Sequence, residues 1–138
     1  MARNYIPSLD RIGISKDRYV ELLRFCRQYR QWELEAESML GVRGKALDGM
    51  PHGNGLGDPV AAAAGRRERL LRKMQLVEDC AMRVGGGKWF IALIHNVCDK
   101  MSYYEINPDM MPSLHKQDFY KARKEFFILL NEAVDERW

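Results

Sequence analysis

Apolar residues recur every three or four positions along most of this chain, a spacing that places them on one face of an α-helix. The first such stripe begins after Ser15, whose side chain can act as a helix N-cap. It consists of Tyr19, Leu22, Leu23 and Cys26, followed by Trp32, Leu34 and Leu40. The pattern predicts either one long helix or two short ones.

Residues 41–57 interrupt this periodicity with six glycines and Pro51. We expect this segment to form a loop, because so many glycines disfavour regular structure. It is not a phosphate-binding loop of the Walker type, since it has no Gly-Lys-Ser/Thr ending and follows no strand pattern. A linker role is therefore favoured.

Asp58-Pro59 predicts a new helix, with the aspartate as cap and the proline at the first helical position. This helix should continue to the three glycines at 85–87. Its heptad-like stripe comprises Val60, Ala63, Arg67, Leu70, Met74, Val77, Ala81 and Val84. The stripe could form a coiled-coil seam between two subunits or one face of an intramolecular bundle. The second alternative is favoured, because fewer than four heptads are short for an isolated zipper.

The last third of the chain predicts two helices joined by a connection that contains Pro108 and Pro112. The first should span residues 88–101, and residues 102–106 could add a short helix capped by Ser102. The last helix should start at Ser113, which can cap it. Its apolar stripe comprises Phe119, Ala122, Phe126, Leu129, Leu130, Ala133 and Val134.

No period-two strand pattern persists, so the sequence predicts an all-α fold, a small helical bundle with a C-terminal helix-turn-helix. Residues 1–57 would form an N-terminal helical segment with the glycine-rich loop. Residues 58–138 would form the long helix and the helix-turn-helix. The two parts together are expected to make one compact domain.

The opposite face of the last helix is cationic and polar in its first half. Lysine neutralises phosphates, and glutamine can pair with adenine in the major groove. Cations at the positive end of a helix oppose the helix dipole, which indicates an anionic partner there. The alternative is an ordinary solvated surface. The residues predicted to contact DNA are Lys116, Gln117, Tyr120, Lys121 and Lys124, with His115 and Arg123 at the margins.

A second basic cluster lies in the long helix, where five cations surround the single acid Glu68. We expect a phosphate-contacting surface beside the last helix, with a solvated face as the alternative. The cluster comprises Arg66, Arg67, Arg69, Arg72 and Lys73.

The net charge of +3 over 138 residues permits nucleic-acid binding without requiring it. The odd and widely spaced cysteines, Cys26, Cys80 and Cys98, are typical of reduced, buried thiols in a cytosol. His95 and Cys98 have helical spacing but no second ligand pair, so no metal site or cofactor is expected. No catalytic constellation, signal peptide or membrane span is evident. We expect a cytoplasmic protein that is not an enzyme.

Three segments resemble a known group of proteins: residues 19–29 (YVELLRFCRQY), 50–59 (MPHGNGLGDP) and 119–130 (FYKARKEFFILL). They are similar to small phage and prophage proteins of Gram-positive bacteria that are grouped with the RinA-like and ArpU-like late-gene transcription regulators. This resemblance implies a sigma-like C-terminal helix-turn-helix whose last helix reads DNA. It also implies that Phe119, Phe126 and Phe127 are core. The residues that it implies face DNA are Lys116, Gln117, Tyr120, Lys121, Arg123 and Lys124.

The expected function is that of a sequence-specific, DNA-binding transcriptional regulator of phage or prophage genes. Its partner would be double-stranded DNA, bound as a homodimer because helix-turn-helix proteins commonly pair on two half-sites. Contact with RNA polymerase is left open. The alternative is a helical protein-interaction module, such as a phage-encoded inhibitor or adaptor of a host protein.

Overall fold

The computed structural model describes residues 13–47 and 59–137, and within these ranges every regular element is a helix. The all-α prediction is confirmed. Two 3-10 helices accompany the α-helices, at Val84–Gly87 and Pro108–Met110. The α-helices are α1 (Lys16–Arg27), α2 (Tyr29–Leu47), α3 (Pro59–Arg83), α4 (Phe90–Val97) and α5 (Lys116–Arg137).

The first apolar stripe forms two helices rather than one. Ser15 caps α1 as predicted, since its Oγ accepts a hydrogen bond from the backbone N–H of Arg18 at 3.1 Å. Gln28 alone separates α1 from α2, and its carbonyl accepts from the N–H of Trp32 at 2.9 Å. No loop therefore separates α1 from α2.

The predicted loop at residues 41–57 is wrong for its first part, because α2 continues to Leu47. Gly41 and Gly44 are helical, although each glycine costs a helix about 1 kcal/mol relative to alanine. Packing of α2 along α3 through the buried Trp32 and Ala36 favours the helix and can offset that cost. The remainder of the predicted loop, and the Asp58 cap, lie outside the described residues.

α2 and α3 pair as an antiparallel hairpin, and three side-chain contacts define their direction. The hydroxyl of Tyr29 donates to Glu78. Further along α2, the Trp32 ring lies 5.7 Å from Lys73 Nζ. Further still, the carbonyl of Ala36 accepts from Arg67 Nε at 3.2 Å. Later residues of α2 thus meet earlier residues of α3.

The apolar stripe of α3 is buried inside the chain's own core. Val77 and Ala81 are fully buried, and Val84 is 1 % exposed. They share one hydrophobic cluster with Leu22 of α1 and Phe126 of α5. The intramolecular alternative for this stripe is therefore confirmed in its buried C-terminal half, while Val60, Arg67 and Leu70 are only partly buried.

The helix-turn-helix is not confirmed. α4 is shorter than the predicted helix at 88–101, and 18 residues, 98–115, separate it from α5. A helix-turn-helix joins its two helices by a turn of about three or four residues. The predicted extra helix at 102–106 is instead a turn, in which the Ser102 carbonyl accepts from the N–H groups of Glu105 and Ile106.

The stripe predicted for α5 is confirmed for Phe119, Ala122, Phe126 and Leu130, which are buried, whereas Leu129, Ala133 and Val134 are only partly buried. The helix itself starts at Lys116 rather than at Ser113. Ser113 stabilises the turn before the helix: its Oγ accepts from the N–H of His115 at 3.1 Å and donates to Asp118 Oδ2 at 2.6 Å. In the part of the chain that the structure describes, no helix has the length and apolar character needed to cross a membrane.

Candidate nucleic-acid interface

The first half of α5 presents a cationic, polar face to solvent. Lys116, Gln117 and Lys121 are exposed, and Tyr120 and Lys124 are partly buried. Burial of Phe119, Ala122 and Phe126 fixes which side of the helix faces outward. Five of the six residues of this helix that are predicted to face DNA therefore reach solvent, where they are accessible to an anionic partner.

Arg123 is the exception, and the prediction that it faces DNA is wrong. It is 1 % exposed, and its guanidinium lies inside the protein. Its Nε donates to Asn96 Oδ1 and its Nη2 donates to the hydroxyl of Tyr19, both at 2.6 Å. The guanidinium carbon also lies 4.9 Å from the Phe127 ring centroid. A buried charge is stabilised by such hydrogen bonds and is not available to a phosphate.

Arg123 instead joins three helices, since Tyr19 belongs to α1 and Asn96 to α4. Asn96 is itself held by a hydrogen bond from its Nδ2 to the carbonyl of Met101 at 2.8 Å. Burial raises the pKa of the Tyr19 phenol, although the Arg123 charge opposes this effect. The phenol therefore remains neutral at physiological pH. The hydrogen bonds of Arg123 with Tyr19 and Asn96, the Arg123 network, fix the rotation of α5 about its axis.

Replacement of Tyr19 by Phe should destabilise the protein by about 1.5–3 kcal/mol, because a buried hydrogen bond to a charged group is lost. The measurement is the urea midpoint. Tyr104→Phe is the matched control, since the same hydroxyl is removed from a side chain that is 76 % exposed. Equal midpoints for the two variants would contradict this assignment to Tyr19.

Three tyrosines surround the ammonium group of Lys116. Its Nζ lies 4.6 Å from the ring centroid of Tyr104, 5.7 Å from that of Tyr120 and 6.0 Å from that of Tyr103. It also donates to Tyr104 Oη at 2.7 Å. Tyr103 and Tyr104 come from the connection between α4 and α5. Nothing in the helical periodicity of the sequence placed them beside α5.

A groove of about 400 Å³ lies beside the cationic face, between the 3-10 helix Val84–Gly87 and α5. Positive φ angles at Gly85, Gly86 and Gly87 form the tight turn on one side. Its charged lining is mixed, with Lys88 and Lys121 against Asp118 and Glu125. The groove therefore lies where the chain leaves the C-terminal end of α3 and meets the first half of α5.

The residues of the second basic cluster differ in their contacts and in their exposure. Arg72 pairs with Glu68 at 2.8 Å, whereas Arg67 and Lys73 pack against α2 as described above. Arg66 and Arg69 are exposed. The cluster is thus partly a structural contact between α2 and α3.

The expected position of this cluster beside the last helix stays a prediction. Gly85, two residues beyond the end of α3, lines the same groove as Lys121. Arg69 lies 14 residues before Arg83, the last residue of α3, which is roughly 21 Å along a helix with a rise of about 1.5 Å per residue. The cluster therefore lies in the middle of α3, whereas the groove beside Lys121 lies just beyond the C-terminal end of α3.

The three cysteines are buried and free, as predicted. Burial raises the pKa of the Cys98 thiol to about 12 and that of Cys26 well above its usual value, so both stay protonated. His95 Nδ1 lies 3.0 Å from Asp99 Oδ2, and Arg30 holds the pKa of this carboxyl below its usual range. Among the described residues, no group of three or more histidine, cysteine or acidic side chains could hold a metal ion.

Comparison with known proteins gave no match: no family model fits the chain, and no curated protein or solved structure is significantly similar to it. The resemblance to RinA-like and ArpU-like regulators rests on the sequence segments alone. Function therefore has to be inferred from the surface itself.

Proposed function

We propose that this protein binds double-stranded DNA through the exposed first half of α5 and regulates transcription of phage or prophage genes. The observation that supports this proposal most is that one side of α5 is buried and the other side is exposed. Its inner side is held by Phe119, Phe126 and the Arg123 network. Its outer side carries Lys121, Gln117 and other polar groups in a fixed orientation.

The chemistry of the outer side suits a duplex. Lys121 and Lys124 would neutralise backbone phosphates and release counterions, which gives affinity without sequence preference. Gln117 has the donor and acceptor needed to pair with adenine at its major-groove edge, so it is our candidate for sequence discrimination. Tyr120 can donate to a phosphate through its hydroxyl.

The proposal does not depend on a standard helix-turn-helix, because α5 is held by α1, α3 and α4 rather than by one preceding helix. A homodimer remains part of the proposal. The buried part of the α3 stripe is occupied within the chain, so a dimer contact has to use another surface. Contact with RNA polymerase is not required by any of these features.

Replacement of both Lys121 and Lys124 by Ala tests the proposed surface. Duplex affinity should fall roughly 2- to 30-fold, since two exposed charge contacts are lost. The plot of log K against log salt should flatten by about two units. Fluorescence anisotropy with a labelled duplex, titrated at several salt concentrations, measures both quantities.

The matched control removes two exposed charges elsewhere, with Lys16→Ala and Arg24→Ala on α1. Both side chains are exposed and neither belongs to α5; Lys16 lies two residues before Arg18, which pairs with Asp135 near the end of α5 at 2.5 Å. This control should leave the salt slope close to that of the wild type. Equal losses in both double variants would show a nonspecific charge effect and contradict the assignment to α5.

A protein-interaction module is the second candidate, and exposed apolar side chains favour it. Leu114 is 80 % exposed, Leu34 61 % and Met82 53 %. An interface with an apolar centre would bind a protein partner with little dependence on salt. Steep salt dependence of duplex binding distinguishes the DNA proposal from this alternative.

A further inference from the structure

Lys116 is held in place although its side chain lies at the surface. A lysine on a helix surface normally samples many rotamers, and fixing it has a cost in side-chain entropy. Here the hydrogen bond to Tyr104 Oη and the neighbouring faces of Tyr103 and Tyr120 restrain the ammonium group. Tyr103 is itself tied to the segment before α5 by a hydrogen bond from its hydroxyl to the carbonyl of Leu114 at 3.2 Å.

The pair of Lys116 and Tyr104 has donors left for a ligand. The ammonium group has three N–H donors and uses one on Tyr104 Oη. Tyr104 accepts that bond, so its own O–H is still available, and the residue is 76 % exposed. The hydrogen bond to Tyr104 also raises the pKa of Lys116, which keeps it charged at neutral pH.

The remaining donors indicate an anion rather than a cation as ligand. Tyrosine clusters of this kind bind external ammonium groups when they are empty. In this protein the place of such a cation is taken by Lys116 itself. A ligand that approaches the exposed side meets a positive charge and a hydroxyl donor 2.7 Å apart. Neighbouring oxygens of one phosphate group can accept from both.

We propose that Lys116 and Tyr104 form a binding site for one phosphate of the DNA backbone, with Tyr103 and Tyr120 positioning the lysine. This inference rests on the proposed function and deepens it. It adds Tyr104, a residue outside α5, to the DNA surface. It also gives Lys116 a fixed contact that sets the register of α5 on the duplex, because phosphate contacts fix orientation.

Single substitutions separate the two contributions, with a labelled 20-base-pair duplex as the probe. Tyr104→Phe removes a neutral donor, so affinity should fall about 2- to 10-fold with an unchanged salt slope. Lys116→Gln removes a charge, so affinity should fall and the slope should flatten by about 0.9. The double variant should lose less than the product of the two losses, because the groups act as a unit.

Lys16→Gln is the matched control, since it makes the same change at an exposed position near the opposite end of α5. It should leave both affinity and slope close to wild type. Wild-type affinity in Tyr104→Phe, or losses in the double variant that simply multiply, would overturn the phosphate site. If the double variant with Lys121→Ala and Lys124→Ala still flattened the salt slope in that case, DNA binding through α5 would stand without the phosphate site at Lys116 and Tyr104. A wild type whose duplex binding does not depend on salt would overturn the proposed function itself.

Discussion

Val77→Glu should leave the chain unfolded. Val77 is fully buried in the core formed by all the packed helices, so the new carboxylate would have no water around it. An isolated buried charge costs several kcal/mol, which is comparable with the whole stability of about 5–15 kcal/mol for a domain. Circular dichroism should show loss of helicity, and sedimentation should show no folded monomer.

Gln75→Glu is the control for this experiment, because it places the same residue at an exposed position of the same helix. Surface changes of this kind alter stability by about 0.5 kcal/mol or less, so this variant should remain helical. A Val77→Glu variant that is a fully folded monomer, obtained from a dimeric wild type, would instead place Val77 in a seam between subunits.

Phe126→Ala should destabilise the protein by about 3–5 kcal/mol. The ring is fully buried and lies 5.3 Å from that of Phe127, so truncation leaves a cavity in the centre of the core. For a chain of this size, the melting temperature should fall by roughly 10–20 °C.

The comparison for Phe126→Ala is Lys121→Ala. Lys121 lies five residues before Phe126, on the exposed side of the same helix. Its melting temperature should stay within about 2 °C of the wild type. A similarly small shift in Phe126→Ala would mean that α5 is rotated about its axis relative to the arrangement described here.

The helices could be predicted from the sequence where local interactions decide the structure. Ser15 caps α1 through a contact three residues away, and such contacts are visible in the sequence itself. The stripes that contain Val77 and Phe126 were predicted correctly, because a period near 3.6 directly reports the buried face of a helix. Helix ends were less predictable. Gly41 and Gly44 indicated a loop, yet their helix extends past both of them.

The burial of Arg123 could have been predicted from its spacing. It lies four residues after Phe119 and four before Phe127, which places it on the buried side of α5. Its charge indicated a surface position instead, because buried arginines are rare without partners. The partners Tyr19 and Asn96 are distant in sequence and become neighbours only in the folded chain.

Which residues make up the candidate surface also depends on contacts between residues that are distant in sequence. Tyr104 lies in a turn whose position relative to α5 is set by the 18-residue connection, so no local pattern could assign it to Lys116. Arg67 and Lys73 of the second basic cluster likewise contact α2, which is distant from them in sequence. Sequence spacing gives the charge of each helix but not the distance between helices.

Selection of bound fragments from phage and prophage DNA, followed by a salt titration, tests DNA recognition by this protein most directly. We expect enrichment of a common sequence, affinity that falls steeply as salt rises, and weaker discrimination in Gln117→Ala, since Gln117 faces solvent on α5. No enriched sequence, with duplex affinity that is weak and independent of salt, would contradict it.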